Sequence, residues 1–404
     1  MKKILLQINS YINFGSTGKI VEEIGRLAIK NGWESYIAFG RKDRKSASKK
    51  IKIGDNFSIA KSLLKTRIFD KHGFSAKKET EILIKKIEEI KPTIIHLHNL
   101  HGYYINIEIL FNYLNKSSIP ILWTLHDCWS FTGHCAYFDF VSCEKWKTTC
   151  SKCPQKFSYP SSYLFDRSEL NYNIKKKLFT TNSNIMLVPV SHWLDKLLEE
   201  SFFRNISTQV IHNGIDLEIF KPSIQNNIKQ KYRLGNKFLI LGVASVWNRR
   251  KGLAEFIKLN DLLDERYKII LIGLSQKQIK NLPKNIVGIS HTENVSELVQ
   301  FYSNADVFIN PTFEDNYPTT NLEAIACGTP VITYKTGGSV ESISQNTGLV
   351  VEKGNIQALF KAVEIIYSKG KEFYHNSCIE YAKANFDKNK AFQKYLKLYK
   401  SLLN

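Results

Sequence analysis

No stretch of this chain is long and apolar enough to cross a bilayer. The most apolar segment, Phe238 to Trp247, falls far short of the roughly 20 residues that a spanning helix needs. Nor does a hydrophobic run follow Lys2 and Lys3, so no cleaved export signal is expected and the chain reads as cytoplasmic. Acids are scarce as well: 37 Asp and Glu stand against 57 Lys and Arg in 404 residues, a formal net charge of +20 with histidine neutral. That imbalance points to an anionic partner or surface. Apolar content is not scarce. Hydrophobic residues make up 43% and charged residues 23%, the balance of an ordinary globular protein, which excludes a disordered or fibrous chain. Since one core seldom organises more than about 250–300 residues, two domains are expected.

The excess charge is unevenly spread. Residues 41–78 hold thirteen Lys and Arg against Asp43, Asp55 and Asp70, which places half of the +20 in one segment. Nucleic acid, anionic lipid or a phosphorylated substrate could each meet such a patch. Within it Phe57, Ala60, Leu63, Leu64, Ile68 and Phe69 recur near helical spacing with Lys61, Lys65 and Arg67 between them. This pattern predicts a basic amphipathic helix, either a plain surface helix or one able to lie on an acidic membrane.

Short β-branched runs alternate with amphipathic stretches from end to end. Lys3–Ile8, Ser35–Phe39, Thr93–Leu97, Ile119–Thr124 and Ile185–Val190 read as buried parallel strands. A second series runs through Phe238–Val243, Lys268–Ile272, Asn285–Ile289, Asp306–Ile309, Pro330–Thr333 and Gly348–Val351. The alternation predicts an α/β protein with two Rossmann-like, doubly wound domains facing a cleft, with the chemistry in loops at the strands' carboxyl ends.

Three of those loops stand out. The first strand enters a loop containing Gly15, Gly18 and Lys19 ahead of a helix; backbone N–H groups there can meet an anion or a sugar's oxygens, and a structural tight turn explains Gly15 equally well. The loop is not a Walker A element, because Asn13 and Ile20 occupy positions that need Gly and Ser or Thr. Arg249, Arg250 and Lys251 crowd another strand-to-helix turn, where cations can neutralise a departing diphosphate. Finally, Asp315 and Glu323 are separated by seven residues across a polar loop and a short helix. A carboxylate can accept both hydroxyls of a ribose while loop amides hold phosphate; a surface helix residue would account for Glu323 on spacing alone.

The segment from Asn310 to Ile332 resembles the EX7E region of the family 4 retaining glycosyltransferases, with Asp315 in place of the first glutamate. The resemblance extends over nearly the whole chain: Gly15, Thr124-Leu125-His126-Asp127, Val210-Ile211-His212-Asn213-Gly214-Ile215-Asp216, Lys251-Gly252, and Cys327-Gly328-Thr329-Pro330. It implies the GT-B fold, with an acceptor-side domain over residues 1–212, a nucleotide-sugar domain over 213–385 and a terminal helix, 386–404, crossing back. It also implies retention of anomeric configuration by front-face attack. Glu323 would take the ribose hydroxyls; Asp315, Asn316, Tyr317, Pro318 and Thr319 the donor; Lys251 the diphosphate; His126 the sugar's reacting face; and Gly15 the donor from the other side. The arginine usually found five or six residues before the lysine is replaced by Ser245 or Val246, leaving Arg249 or Arg250 as substitutes. No Asp-x-Asp element is present, so no catalytic metal is expected.

Five of the seven cysteines lie between Cys128 and Cys153. In a cytosolic chain disulfides are disfavoured, and Cys135, Cys143, Cys150 and Cys153, closing in C-x2-C, have the make-up of a structural zinc site within an insertion at 128–160; reduced free thiols are the alternative. The insertion resembles that of a capsule- and colanic-acid-type subset of the family. The expected partners are a UDP- or GDP-sugar, a lipid-linked saccharide acceptor and, through residues 41–78, the anionic inner face of the cell membrane. The competing functions are a sugar-nucleotide epimerase of the same fold and a basic nucleic-acid-binding protein. The latter is disfavoured, since no recognition helix or RNP-like strand is evident.

Overall fold

The computed structural model describes residues 2–182, 184–225, 227–232 and 234–403. The chain forms two compact units, Met1–His212 with Phe392–Asn404, and Asn213–Ala391.

In the first unit, strands β1 (Ile4–Tyr11), β2 (Glu34–Arg41), β3 (Lys49–Lys52), β4 (Ile94–Leu97), β5 (Ile121–Leu125) and β6 (Ile185–Pro189) build one parallel sheet in the order β3-β2-β1-β4-β5-β6. Its central strands are buried on both faces, β4 and β5 at every residue, which is why they read as unbroken apolar runs rather than alternating ones. In the second unit, β7 (Phe238–Val243), β8 (Tyr267–Ile272), β9 (Ile286–Ile289), β10 (Val307–Asn310), β11 (Val331–Tyr334) and β12 (Gly348–Val351) follow the order β12-β11-β10-β7-β8-β9, again parallel. Counted within each unit the two orders are the same, the doubly wound pattern in which the direction of winding reverses between the first and fourth strands. The expected α/β architecture is therefore present in both units, and β7 and β12 begin and end where the sequence pattern places them.

Two features differ from expectation. Strand β3 is a run of charge, Lys49-Lys50-Ile51-Lys52, with one apolar residue; it survives as a strand because it lies on the sheet edge, where lysine is tolerated. The helix Asn56–Phe69 is present and capped by Asp55 and Ser58 in a capping box, but it is not amphipathic in the expected sense. It buries Ser62 and Thr66 and leaves Phe57, Leu64 and Phe69 exposed. Thr66 satisfies its hydroxyl on the carbonyl of Ser62 (2.9 Å), so the inner face closes with polar residues and the apolar ones stay outside.

The last helix, Lys388–Ser401, joins the first unit through aromatic residues with polar tips. Tyr399 and Tyr395 are almost fully buried. The Tyr399 hydroxyl lies 2.6 Å from His96 Nδ1, and the Tyr395 hydroxyl lies 3.2 Å from Thr124 Oγ1. Each ring thus buries its apolar body and finds a hydrogen-bond partner for its oxygen.

Candidate active site

In an open α/β sheet the ligand crevice lies outside the carboxyl ends of the strands where winding reverses. In the second unit that point falls between β7 and β10, and the loops after these two strands carry the cationic turn and the Asp315 segment. They are joined several times. Phe313 N donates to the Arg250 carbonyl (2.7 Å), the Arg250 guanidinium donates to the Glu314 carbonyl, and the Lys251 ammonium forms an ion pair with Asp315 Oδ2. Gly252 sits at φ +75°, and a Cβ there would come within 2.1 Å of the Pro311 carbonyl oxygen. Glycine is needed both for the left-handed backbone and for the close approach of the two loops.

The Lys251–Asp315 pair is mostly shielded from water, with 21% and 13% of the side chains exposed. Burial lowers the lysine's pKa and the carboxylate beside it opposes that shift. For Asp315 burial alone would raise the pKa, but Lys251 and Arg250 hold it below the usual carboxylate range. Each group thus favours the charged form of the other against the cost of burial. Eight residues further on, Glu323 lies in the helix Thr319–Ala326, and the buried Tyr302 hydroxyl donates to its Oε2 (2.9 Å). The helix is anchored from below: Asn321 accepts from Asn310 Nδ2 (2.9 Å) and donates to the hydroxyls of Ser339 (3.2 Å) and Ser342 (3.0 Å). Its N-terminus, with Pro318 as N-cap, follows directly on the loop containing Asn316 and Tyr317, and the positive end of a helix dipole is suited to an anion.

The structure therefore brings Lys251, Arg250, Asp315, Asn316, Tyr317, Pro318, Thr319 and Glu323 onto two adjoining loops and one short helix. Arg249 is exposed on the same turn, while Arg250 is the arginine tied to the Asp315 loop. Gly15 and His126 belong to the other unit.

In the first unit the reversal lies between β1 and β4. Gly15 opens the helix Gly15–Lys30 at φ +66°, with no atom within 4 Å of where its Cβ would stand. After β4 and β5 come histidines that sequence reading largely passed over. His126, the one singled out, has Nε2 3.2 Å from His98 Nδ1, and His98 Nε2 lies 3.3 Å from Gln7 Oε1. Burial pushes the His126 pKa down to about 4, against the pull of Asp127, so the ring is neutral at pH 7. Asp127 accepts from Trp129 N (2.9 Å) through Oδ1 and meets His101 Nε2 (2.7 Å) through Oδ2. His101 Nδ1 in turn lies 2.9 Å from the Tyr159 hydroxyl. His98, His101, His126, Asp127 and Trp129 line a shared cavity with Thr124 and Ser130. The adjacent loop is strained, since Tyr103 is held at φ +74°, a conformation that side chains other than glycine seldom adopt. The spacing His96-x-His98-x2-His101 directly after a strand was the available signal.

The four cysteines of the insertion, Cys135, Cys143, Cys150 and Cys153, also line one small cavity, and none of them is in a disulfide.

Known proteins resemble this chain in sequence and in fold. Residues 224–385 match the model of the glycosyl transferases group 1 family. WcaC of Escherichia coli (strain K12), named as a colanic acid biosynthesis glycosyl transferase, is 24% identical over 88% of this chain and 89% of its own. The N,N'-diacetylbacillosaminyl-diphospho-undecaprenol alpha-1,3-N-acetylgalactosaminyltransferase of Campylobacter jejuni is 25% identical over 46% of this chain and 52% of its own. Among solved structures, sucrose-phosphate synthase from Thermosynechococcus elongatus superimposes with a TM-score of 0.74 at 17% identity, covering 99% of both chains. Anabaena HepE in complex with UDP-glucose gives 0.67 at 15% identity, over 98% and 99% of the two chains. The fold is that of the GT-B glycosyltransferases, and the relatives support a glycosyltransferase role for this chain.

Proposed function

We propose that this protein is a retaining glycosyltransferase of family 4 that moves a hexose from a UDP-sugar to a lipid-linked saccharide during assembly of a surface polysaccharide. The observation that carries the reading is the Lys251–Asp315 pair bridging the two loops at the β7–β10 reversal, with Glu323 on the helix that follows. A nucleotide laid across that crevice meets a carboxylate for its ribose hydroxyls, Lys251 and Arg250 for its diphosphate, and helix amides beside the sugar. The sugar C1–O bond breaks toward the β-phosphate, whose growing negative charge these cations stabilise. The acceptor oxygen bonds to C1 on the same face, and its proton passes to the departing phosphate. Cations of the chain perform the leaving-group task, so we assign no metal to catalysis. His126, neutral at pH 7, can hydrogen-bond a sugar hydroxyl without placing charge beside the reacting carbon.

UDP is favoured as the nucleotide by the UDP-glucose bound to HepE, and a lipid-linked acceptor by the diphospho-undecaprenol in the name of the Campylobacter relative. The exposed Phe57, Leu64 and Phe69 stand among Lys61, Lys65 and Lys71. Phe165 stacks on Phe69 (5.6 Å between centroids) beside the exposed Tyr163 and Leu164. An apolar surface ringed by cations suits peripheral binding to an anionic membrane. Calorimetric titration with UDP- and GDP-sugars, followed by transfer to a polyprenyl-diphosphate saccharide, tests the reading. UDP-sugar binding that is lost in Glu323→Ala, with acceptor-dependent release of UDP, is the expected result. Binding unaffected by that change would defeat the donor assignment, and UDP release without an acceptor would favour an epimerase.

A further inference from the structure

The mechanism above leaves the cysteine-rich insertion unused, although its interior is built around chemistry. Cys135, Cys143, Cys150 and Cys153 line one cavity together with His134. His134 is 2% exposed. Its Nδ1 is hydrogen-bonded to Asp70 Oδ1 (2.5 Å), while its Nε2 is buried without a hydrogen-bond partner. A carboxylate that fixes an imidazole beside a pocket of cysteines is the kind of hydrogen-bonded support found behind metal ligands. Cys150 Sγ accepts from Gly133 N (3.3 Å), the kind of N–H···S bond that steadies a thiolate. The Lys175 ammonium is buried as well; it donates to the carbonyls of Trp129 (2.7 Å) and Thr132 (3.0 Å) and has no carboxylate within ion-pair distance among the described residues. A buried cation lacking a counter-charge is costly, and something anionic beside it would remove that cost.

We propose that Cys135, Cys143, Cys150 and Cys153 bind one zinc ion as thiolates, with His134 donating a hydrogen bond to the sulfur shell and Asp70 holding His134 in place. Four thiol protons leave on binding. Four thiolates and Zn2+ carry a net charge of minus two, an anion beside which the buried Lys175 side chain would find its counter-charge. A four-sulfur tetrahedral set selects zinc or an iron–sulfur cluster, and the short closing C-x2-C pair is one half of a structural zinc site. The metal also reaches the cavity of the first unit. Cys128 N donates to the Ala136 carbonyl (3.1 Å), and Trp129 N donates to Asp127 (2.9 Å), so the metal loop and the Asp127 turn are one hydrogen-bonded piece.

Elemental analysis of the full chain, purified under reducing conditions without chelator or metal affinity resin, should find one zinc per chain. After chelator treatment, titration with Co2+ should give a thiolate-to-cobalt charge-transfer band and the intense visible bands of a tetrahedral site. Cys150→Ser and Cys153→Ser should each lose stoichiometric zinc, whereas His134→Gln should retain it and release it faster to a chelator. Wild-type protein with no zinc and no cobalt–thiolate spectrum overturns the proposal, and this measurement needs no variant to fold. Iron with sulfide in place of zinc overturns it too, as does a Cys135–Cys153 disulfide in the native chain. Zinc lost from His134→Gln, with the fold intact by circular dichroism, would make His134 a ligand and overturn the assigned set. None of these readouts depends on the reaction that the protein catalyses.

Discussion

The two units share one strand order and one reversal point, yet place opposite chemistry there. At β7–β10 the second unit holds charges: a lysine and an aspartate in an ion pair, with an arginine hydrogen-bonded to the same loop. At β1–β4 and the neighbouring β5 the first unit holds neutral imidazoles linked to one another and to hydroxyls and amides. One topology thus presents two chemistries. A crevice lined with fixed charge suits a diphosphate, whereas a cavity of neutral imidazoles with a single carboxylate, Asp127, suits the hydroxyls of a saccharide.

The contrast is broken most directly at Lys251. Replacement by Met removes the cation nearest the expected leaving group and should lower kcat by about 10²–10³-fold, the usual cost of losing one group that stabilises transition-state charge. It also leaves Asp315 without its partner, so the melting temperature should fall as well. The double variant Lys251→Met/Asp315→Asn separates the two effects: stability should return while activity does not. Recovery of activity in the double variant would show that the lysine serves only to neutralise the aspartate.

A smaller effect is expected on the neutral side. Asp127→Asn keeps the size of the side chain but weakens its hold on His101, a charged hydrogen bond of about 1.5–3 kcal/mol. A roughly 10- to 100-fold fall in kcat/KM for the acceptor, with donor affinity unchanged, is expected from steady-state kinetics with each substrate varied in turn. Equal losses toward both substrates would erase the distinction between the units.

These two sites were unequally legible. Asp315 and Glu323 stand eight positions apart on one loop and helix, and Lys251 lies on a separate strand-to-helix turn; spacing drew attention to the first two, and the family resemblance gave all three their roles. The His101–Asp127 contact joins two strands' loops across a sheet, and nothing in either segment names the other. Strand assignment succeeded where both sheet faces are buried and hydrophobicity is continuous, as in β7. It failed at β3, where an edge position admits three lysines in four residues. The helix Asn56–Phe69 was legible as a helix but its inward side was not. Apolar periodicity does not pick out Ser62 and Thr66, the two residues it buries.

The neutral histidines carry a further cost that the second unit does not share. Burial holds the pKa of His126 down to about 4 and those of His72, His96 and His98 well below the ordinary value. The groups around His96, His98 and His126 are Gln7, Thr124, Tyr395 and Tyr399, with His101 and Asp127 beside His126, while His72 accepts from Gly102 N and packs against His101, Tyr103, Trp129 and Tyr159. Below about pH 6.5 an unfolded histidine gains a proton that the native rings refuse, so the unfolded state binds more protons and stability falls as the pH falls. The loss should begin near pH 6.5 and continue toward pH 4; above pH 7 these groups should contribute no slope. The second unit has two histidines, His291 and His375, and neither is buried. Hydrogen exchange followed from pH 7.5 to 5 should therefore show protection lost in β4 and β5 before β7 and β10. Simultaneous loss would mean that the two units unfold as one.

The finest distinction lies at Glu323, where a phenol rather than a cation supports the carboxylate. Tyr302→Phe removes the hydroxyl that donates to Glu323 Oε2 and leaves the ring in its buried place. If the hydroxyl aims the carboxylate at a ribose, its loss should weaken UDP-sugar binding by an amount typical of one hydrogen bond, about 0.5–1.5 kcal/mol or roughly 2- to 12-fold in Kd. A carboxylate that acts through charge alone would be nearly indifferent to the change, whereas one that must accept two hydroxyls in a fixed geometry would not. Titration with UDP and with the deoxyribose nucleotide dUDP decides between them, because a correctly aimed Glu323 should discriminate between the two in the wild type and do so less in Tyr302→Phe.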